Sequence, residues 1–192
     1  MKHLSNTEVA DWLASQGWLV LRSPARLRFD LVETSGLTKY EAAIAEHSAS
    51  VGCDMAELFL HDVPRANFSG GLFWIARPVF PSEGNWILLE QILRAGGLAI
   101  DARAAEFLLL EPGDYAACFA LVALVLMFGW DANLVLAGRR FLLTIDDEPF
   151  PALITDRVSE WFIEAAKNLE FRESSPRVAP AADAGDDSAP LP

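Results

Sequence analysis

The hydrophobic pattern is most continuous in the middle of the chain. Residues 115–130 read YAACFALVALVLMFGW and carry no charged side chain. A helix that is apolar on every side is typical of the interior of a protein. Two strand-like segments follow at 134–136 and 140–145, separated by the turn residues Ala137 and Gly138. The pattern therefore predicts a buried central helix that leads into a β-hairpin.

Capping signals predict where the helices begin and end. Ser5–Glu8 and Thr38–Glu41 have the spacing of capping boxes, in which a hydroxyl and a carboxylate satisfy the first backbone donors of a helix. Asp114 is placed to cap the central helix, Thr155–Asp156 to cap the last one, and Gly52 to end the second. We predict helices at 5–16, 38–50, 86–95, 115–130 and 156–169, and a short helix around Ala102.

Strands are predicted from alternation and from short apolar runs. Residues 26–33 alternate Leu27, Phe29 and Leu31 with more polar positions, as a half-buried strand does. Apolar runs bounded by proline, glycine or asparagine supply the other strands. We predict strands at 18–22, 26–33, 57–63, 72–80, 106–110, 134–136 and 140–145.

This order of elements predicts an α+β fold, with antiparallel sheets packed by helices around the central apolar helix. Of the 192 residues, 52% are hydrophobic, which is enough for one compact domain over 1–172. The alternative is two subdomains, 1–110 and 111–172. Residues 173–192 contain four prolines and no aromatic residue, and are predicted to be a disordered acidic tail.

A helix–hairpin–helix order occurs twice along the chain. The first copy contains Gly17-Trp18 followed by Leu19-Val20-Leu21, and the second contains Gly129-Trp130 followed by Leu134-Val135-Leu136. A structural duplication predicts two similar layers that share a sheet. Coincidence is the alternative, since both patterns are short.

The net charge of −12 limits the partners of this protein. A strongly acidic surface repels nucleic acid and anionic membranes, and it suits either solubility or the attraction of a basic partner. The central apolar run of sixteen residues is shorter than the roughly 18–20 that a membrane-spanning helix needs. The first residues contain no apolar signal core, so we predict a cytoplasmic protein without a membrane span.

An acidic run follows the predicted hairpin. Asp146, Asp147 and Glu148 are consecutive, and Asp131 precedes the hairpin. The run can be a solvated loop, a surface that meets Arg or Lys side chains of a partner, or a cation or acid–base site. Adjacent residues on a strand point to opposite faces, so the run alone predicts no metal site.

Cys53 is the candidate nucleophile. A cysteine nucleophile needs a histidine within hydrogen-bond reach and an orienting carboxylate, and His47, His61 and Asp62 supply those residue types. The spacing of His47, Cys53 and His61 does not fit a structural zinc site, whose ligands come in close pairs. The alternative, which the pattern favours, is a loop thiol, a helix-face histidine and a strand-end histidine. No glycine-rich phosphate loop is present, and we predict no cofactor.

Two of the six tryptophans are candidates for a partner surface. Trp86 and Trp130 lie at the ends of predicted elements, whereas the other four lie in apolar segments and are predicted to be core. Tryptophan is enriched among the residues that dominate protein–protein binding. We therefore predict a partner-binding surface made of Trp86, Trp130, Asp131 and the acidic run.

One segment shows a family pattern. Its features are Glu111-Pro112-Gly113-Asp114, an apolar helix, Phe128-Gly129-Trp130-Asp131, Leu134-Val135, Gly138-Arg139-Arg140-Phe141 and Thr144-Ile145-Asp146-Asp147-Glu148. Residues 110–165 thereby resemble small immunity proteins of bacterial polymorphic-toxin systems. Those proteins often read Ser-His-Asp-Glu at the last motif, where this chain has Asp146 in the histidine position. The resemblance implies a non-enzymatic inhibitor that occludes a cognate toxin.

The leading prediction is therefore an interaction protein, with a cognate toxin or another basic protein as its partner. Its acidic run and exposed aromatic side chains are expected to occupy a basic active-site cleft. The first alternative is a cysteine-dependent hydrolase or transferase that uses Cys53 with His61 or His47. The second is an adaptor subunit of a secretion or phage assembly.

Overall fold

A computed structural model describes residues 1–22, 27–31, 36–41, 49–78, 82–145, 151–168 and 172–174. The helices in these ranges are α1 Asn6–Ser15, α2 Ala49–Leu60, α3 Glu83–Ala95, α4 Tyr115–Phe128 and α5 Glu160–Asn168. The strands are β1 Lys2–His3, β2 Trp18–Arg22, β3 Leu27–Leu31, β4 Thr38–Glu41, β5 Gly71–Arg77, β6 Phe107–Leu110, β7 Asp131–Leu136, β8 Phe141–Ile145, β9 Ala152–Thr155 and β10 Arg172–Ser174.

Eight of these strands form one antiparallel sheet in the order β1-β6-β5-β7-β8-β9-β4-β10. Phe73 of β5 pairs with Leu108 on one side and Leu134 on the other. Strands β2 and β3 form a separate two-stranded sheet. The fold is α+β with helices packed on an antiparallel sheet, as predicted. Both halves of the chain contribute strands to the large sheet, since β4 lies between β9 and β10.

Helix α4 is the buried centre of the molecule, which confirms the prediction for the apolar run. Its side chains share one core with the sheet residues Phe73 and Leu134 and with helices α2 and α3. Contact with a sheet and two helices explains why no side of α4 is polar. Gly129, at φ 62°, ends the helix in the left-handed conformation, and the Trp130 N–H donates to the Val125 carbonyl at 2.9 Å.

A second, smaller core covers the other face of the sheet. Val9 and Leu13 of α1 and Trp18 of β2 pack there against Leu72 and Trp74 of β5. Successive side chains of a strand point to opposite faces, so the neighbours of Leu72 and Trp74 on β5 face the α4 core instead. The sheet is thus buried on both sides in its central part.

Several predicted elements are confirmed. The Ser5–Glu8 capping box is formed and opens α1. The hairpin β7–β8, the short helix at Ala102–Ala104 and the strand β6 are present. The two helix–hairpin–helix copies do not share a sheet through their hairpins, because β2–β3 and β7–β8 belong to different sheets.

The predictions at 38–41 and 57–63 are wrong, and residues 42–48 of the predicted helix at 38–50 lie outside the described residues. Thr38–Glu41 is a strand rather than the start of a helix, and the predicted strand at 57–63 lies largely within α2. The physical reason is periodicity: Met55 and Phe59, like Ala56 and Leu60, lie four residues apart and are all buried, which is the spacing of a helix face. Gly52 lies inside α2 and does not end a helix.

Three predicted boundaries also differ from the structure. Thr155 ends the unpredicted strand β9, and Ser159 caps α5, with its hydroxyl accepting the Phe162 N–H at 3.1 Å. The Asp114 carboxylate does not cap α4. It accepts the Glu111 N–H at 2.8 Å and lies 2.7 Å from the Met1 amino group. The predicted tail begins too early, since Glu173 pairs with Tyr40 in the sheet.

Candidate partner-binding surfaces

Trp86 and Trp130 lie together, but only one of them reaches solvent. Their ring centroids are 5.1 Å apart with the planes tilted by 45°. Phe128 packs on the other side of Trp130, at 5.7 Å between centroids. Trp130 is fully buried and Trp86 is partly exposed. The prediction that Trp130 reaches the surface is therefore wrong, because the first turns of α3 cover the end of α4.

Trp86 lines an open cleft of about 210 Å³ beside the end of β5. The Arg103 guanidinium lies 5.7 Å from the Trp86 ring centroid and pairs with Glu83 at 2.7 Å. The other lining residues are Ile75, Ala76, Pro78, Ala102, Ala105 and Glu106. Small-molecule sites usually measure roughly 300–1,000 Å³. The cleft is smaller than that and suits a single side chain of a protein partner.

Asp131 opens β7, directly after the buried Trp130. Its carboxylate lies 2.9 Å from the Arg77 Nε and its side chain is largely buried. This ion pair sits where the β5–β7 register shifts. Across the sheet, Ile145 pairs with Ala132, so β8 ends beside Asp131. Trp86, Trp130 and Asp131 are thus brought to one end of the sheet, with Trp130 buried beside Trp86. That they belong to one partner-binding site stays a prediction.

The acidic run begins at this end of the sheet. Asp146 follows Ile145 in the sequence, and Asp146, Asp147 and Glu148 lie outside the described residues. The prediction that they belong to the same surface stays a prediction.

The predicted thiol site is not assembled from Cys53 and His61. Cys53 is exposed on α2. His61 lies eight residues later in the sequence, directly after the end of that helix. Eight residues of helix rise about 12 Å, far beyond hydrogen-bond reach. Within the described ranges, no hydrogen bond joins the Asp62 carboxylate to Cys53 or His61, and its Oδ2 accepts the Ser159 N–H instead. His47 lies outside the described residues.

A second surface, which the sequence did not indicate, lies where α2 meets α5. Trp161 is 48% exposed and its ring stacks on the exposed His61, with centroids 3.8 Å apart and planes 22° from parallel. The sequence pattern places Trp161 in the apolar stripe of α5. That stripe is buried at Phe162, and Trp161 lies at its edge.

Exposed acidic side chains lie on both of the helices that bring this stacked pair together. Asp54 and Glu57 on α2 and Glu160 and Glu164 on α5 are all exposed. The two helices carry one basic residue, Lys167, which lies 3.4 Å from Glu164. We call Asp54, Glu57, His61, Glu160, Trp161 and Glu164 the α2–α5 face.

Asp62 fixes the two helices relative to each other. Its Oδ2 accepts the Ser159 N–H at 2.5 Å, just before α5 begins, and its backbone carbonyl accepts a hydrogen bond from Arg139 at 2.7 Å. Phe162 then anchors α5 in the core, edge-on to Tyr40 at 5.0 Å. The stacked pair of His61 and Trp161 is therefore held on a rigid support.

In the described ranges, no three His, Cys, Asp or Glu side chains are close enough to hold a metal ion. Nor does any helix in those ranges combine the length and apolar character needed to cross a bilayer. No protein-family model, no curated protein and no solved structure matches the chain.

Proposed function

We propose that this chain is a non-catalytic binding protein, an immunity-type inhibitor that occludes the active-site cleft of a cognate bacterial toxin. The resemblance of residues 110–165 to such inhibitors motivates the class of function. The observation that carries the proposal is the grouping of Trp86, Trp130 and Asp131 at the end of the sheet from which the acidic run starts.

The electrostatics of the chain favour a basic partner. A net charge of −12 creates a field that attracts a cationic protein and raises the rate of encounter at low salt. Asp131 is paired with Arg77, so the proposal relies on the acidic run, rather than on Asp131, for the negative charge that meets the partner. A toxin that cleaves or binds nucleic acid presents a basic cleft of the complementary sign.

Trp86 is the proposed anchor of the contact. Its ring is held between Trp130 and Arg103, so little side-chain entropy is lost when a partner covers it. The small cleft beside it receives one partner side chain, as hot-spot pockets do.

Capture from the natural host tests the proposal. The protein is expressed together with the neighbours of its gene and analysed by native mass spectrometry. A tight one-to-one or two-to-two complex with a basic neighbour, whose activity falls when the complex forms, is the expected result. A clean monomer or homodimer contradicts the proposal. A fixed assembly with many copies supports the adaptor alternative instead.

Charge reversal tests the acidic run. Replacing Asp146, Asp147 and Glu148 with lysine is expected to slow association and flatten its salt dependence, with a smaller change in the dissociation rate. The matched control replaces the exposed acids Asp11, Glu111 and Asp156 with lysine. This variant has the same change in net charge, made at other positions of the chain. Association rates that fall equally in both variants show that net charge, and not the acidic run, guides the partner.

A further inference from the structure

We infer that the α2–α5 face is a second docking surface, which binds an arginine-bearing segment of a protein partner through Trp161. The inference goes beyond the proposed function, because it concerns a different part of the molecule and does not require the partner to be a toxin.

Trp161 is the feature that points to a ligand. About half of a large aromatic side chain is left in water, although burial of its area is favourable. His61 covers one side of the indole by stacking. The exposed part of the indole is where we place a planar group from the partner, with the imidazole already stacked on the ring.

The charges around Trp161 select the chemistry of that group. Glu164 lies three residues after Trp161, the spacing of neighbours on a helix surface, and Glu160 is the exposed acid at the first position of the same helix. Glu57 lies on α2, four residues before His61, which directly follows the helix. Among the residues that the structure describes, Glu57 and Glu160 have no ion-pair partner. The face therefore offers uncompensated negative charge beside an exposed ring.

Arginine meets both requirements better than lysine does. A guanidinium is planar and stacks on an indole, while its edge donates hydrogen bonds to carboxylates. An ammonium group is a compact, strongly hydrated charge that cannot make both contacts in the same way. An arginine stacked on Trp161 reaches Glu160 or Glu164 at its edge.

The charge of the face also argues against other occupants. A second copy of this chain docked face to face places acids against acids, which is unfavourable. Nucleic acid and anionic lipid are repelled for the same reason. A basic protein segment is the occupant that the charges favour.

The support beneath the face lowers the cost of binding. Asp62 ties the start of α5 to the end of α2, and the buried Phe162 holds α5 against the sheet. A partner therefore meets a preformed surface and orders few side chains.

Titration with the peptide decaarginine tests the inference on the intact chain. The indole N–H signals of the six tryptophans are followed by NMR, each assigned by a single substitution. We expect saturable shifts that are largest for Trp161 and for the His61 ring, and weaker binding of decalysine. Shifts that are largest at Trp86, or that spread evenly over the acidic surface, overturn the inference, as does the absence of saturable binding.

Paired variants separate the ring from the general acidity. Trp161→Ala is expected to weaken decaarginine binding about three- to tenfold, whereas Trp12→Ala, which removes a partly exposed indole on α1, leaves it within about twofold. Glu57→Lys with Glu160→Lys is expected to weaken it at least as much. The control, Asp11→Lys with Glu111→Lys, carries the same charge change on other surfaces. Trp161→Phe keeps a ring and shows whether the loss in the alanine variant reflects the missing ring or altered folding.

The outcomes distinguish this inference from the proposed function. Equal losses in the two charge variants, or unchanged binding by Trp161→Ala, overturn the second surface and leave the capture experiment untouched. If no basic neighbour is captured but decaarginine binds as expected, the proposal of a toxin inhibitor is refuted. The inference of an arginine-binding α2–α5 face then still stands.

Discussion

Cys53 and Cys118 show how position in the fold sets the chemistry of a side chain. Cys118 lies in the first turn of α4 and is fully buried, and burial raises the pKa of its thiol because the thiolate is poorly solvated there. Cys53 lies on the solvent side of α2. The same residue type is therefore inert in one place and accessible in the other.

Thiol labelling measures this difference. We expect an aromatic disulfide reagent to modify Cys53 in the native protein and to modify Cys118 only after unfolding in denaturant. Cys53→Ser serves as the control and is expected to abolish native labelling. Rapid labelling of Cys118 in the native protein contradicts the buried position of α4.

Asp62 has a structural role, although the sequence also offers it as the orienting carboxylate of a cysteine nucleophile. Asp62→Ala removes the acceptor of the Ser159 N–H at the start of α5, and a lost hydrogen bond to a charged group costs about 1.5–3 kcal/mol. We expect the free energy of unfolding in urea to fall by about that amount, and Asp62→Asn, which keeps a carbonyl oxygen, to lie in between. Asp54→Ala, which removes an exposed acid of α2, is expected to change it by less than about 0.5 kcal/mol.

The tryptophans show that the local sequence pattern does not predict which large side chains are buried. Trp130 ends an apolar helix and was expected at the surface, yet Trp86 and Phe128 enclose it. Trp161 was expected in the core, yet it lies half exposed beside His61. Whether a large ring is buried depends on which distant element packs over it, and the residues around it in the sequence do not carry that information.

At the scale of helices and strands, the predictions are correct where one sequence signal is present and no second signal contradicts it. Helix α4 is apolar on every side and β7–β8 has a clear turn, so both were found. Helix α2 was misread because Gly52 looks like a terminator, although it lies within the helix. The reason for glycine at that position is tertiary: α2 and α4 approach so closely there that a side chain has no room.

Gly52→Ala tests this close approach. A Cβ at Gly52 lies 2.7 Å from the Ala123 carbonyl oxygen and 3.1 Å from the Met127 backbone nitrogen, so the helices must separate. Alanine favours a helix by about 1 kcal/mol over glycine, and overpacking costs about 1–3 kcal/mol. We expect a net loss of stability of up to about 2 kcal/mol in thermal or urea unfolding.

Gly84→Ala is the matched control for that substitution. Gly84 also lies in a helix, α3, and its nearest neighbour to a new Cβ is the Ser82 hydroxyl at 3.7 Å. With ordinary contact and no clash, the helix propensity of alanine should stabilise the protein by up to about 1 kcal/mol. Equal effects at Gly52 and Gly84 contradict the close packing of α2 on α4.

At the scale of the whole molecule, the fold class followed from the sequence and the sheet order did not. Strand β4 pairs with β9, and Thr38 lies opposite Thr155, more than a hundred residues away. Pairing at such separation depends on the assembled core, because no local signal links the two segments. The second surface was missed for the same reason, since α2 and α5 meet only in the folded chain.

The two edges of the sheet are short strands, β1 with two residues and β10 with three. Short edge strands limit edge-to-edge association between molecules. Strand β10 also covers β4, whose four residues include the buried Tyr40. Without β10, the backbone groups of β4 lose their partner on that side and become the new edge.

Truncation tests the role of β10. A chain of residues 1–174 keeps this strand and is expected to unfold at the same temperature as the full chain, since residues 175–192 are predicted to be a disordered tail. A chain of residues 1–171 lacks β10, and loss of its backbone hydrogen bonds should cost about 1–3 kcal/mol. We also expect the 1–171 chain to associate with rising concentration in size-exclusion chromatography, because the exposed β4 can pair with another copy. If the two truncated chains have the same stability and elution volume, β10 neither stabilises the sheet nor protects its edge. If both chains are less stable than the full chain, residues 175–192 make a structural contribution.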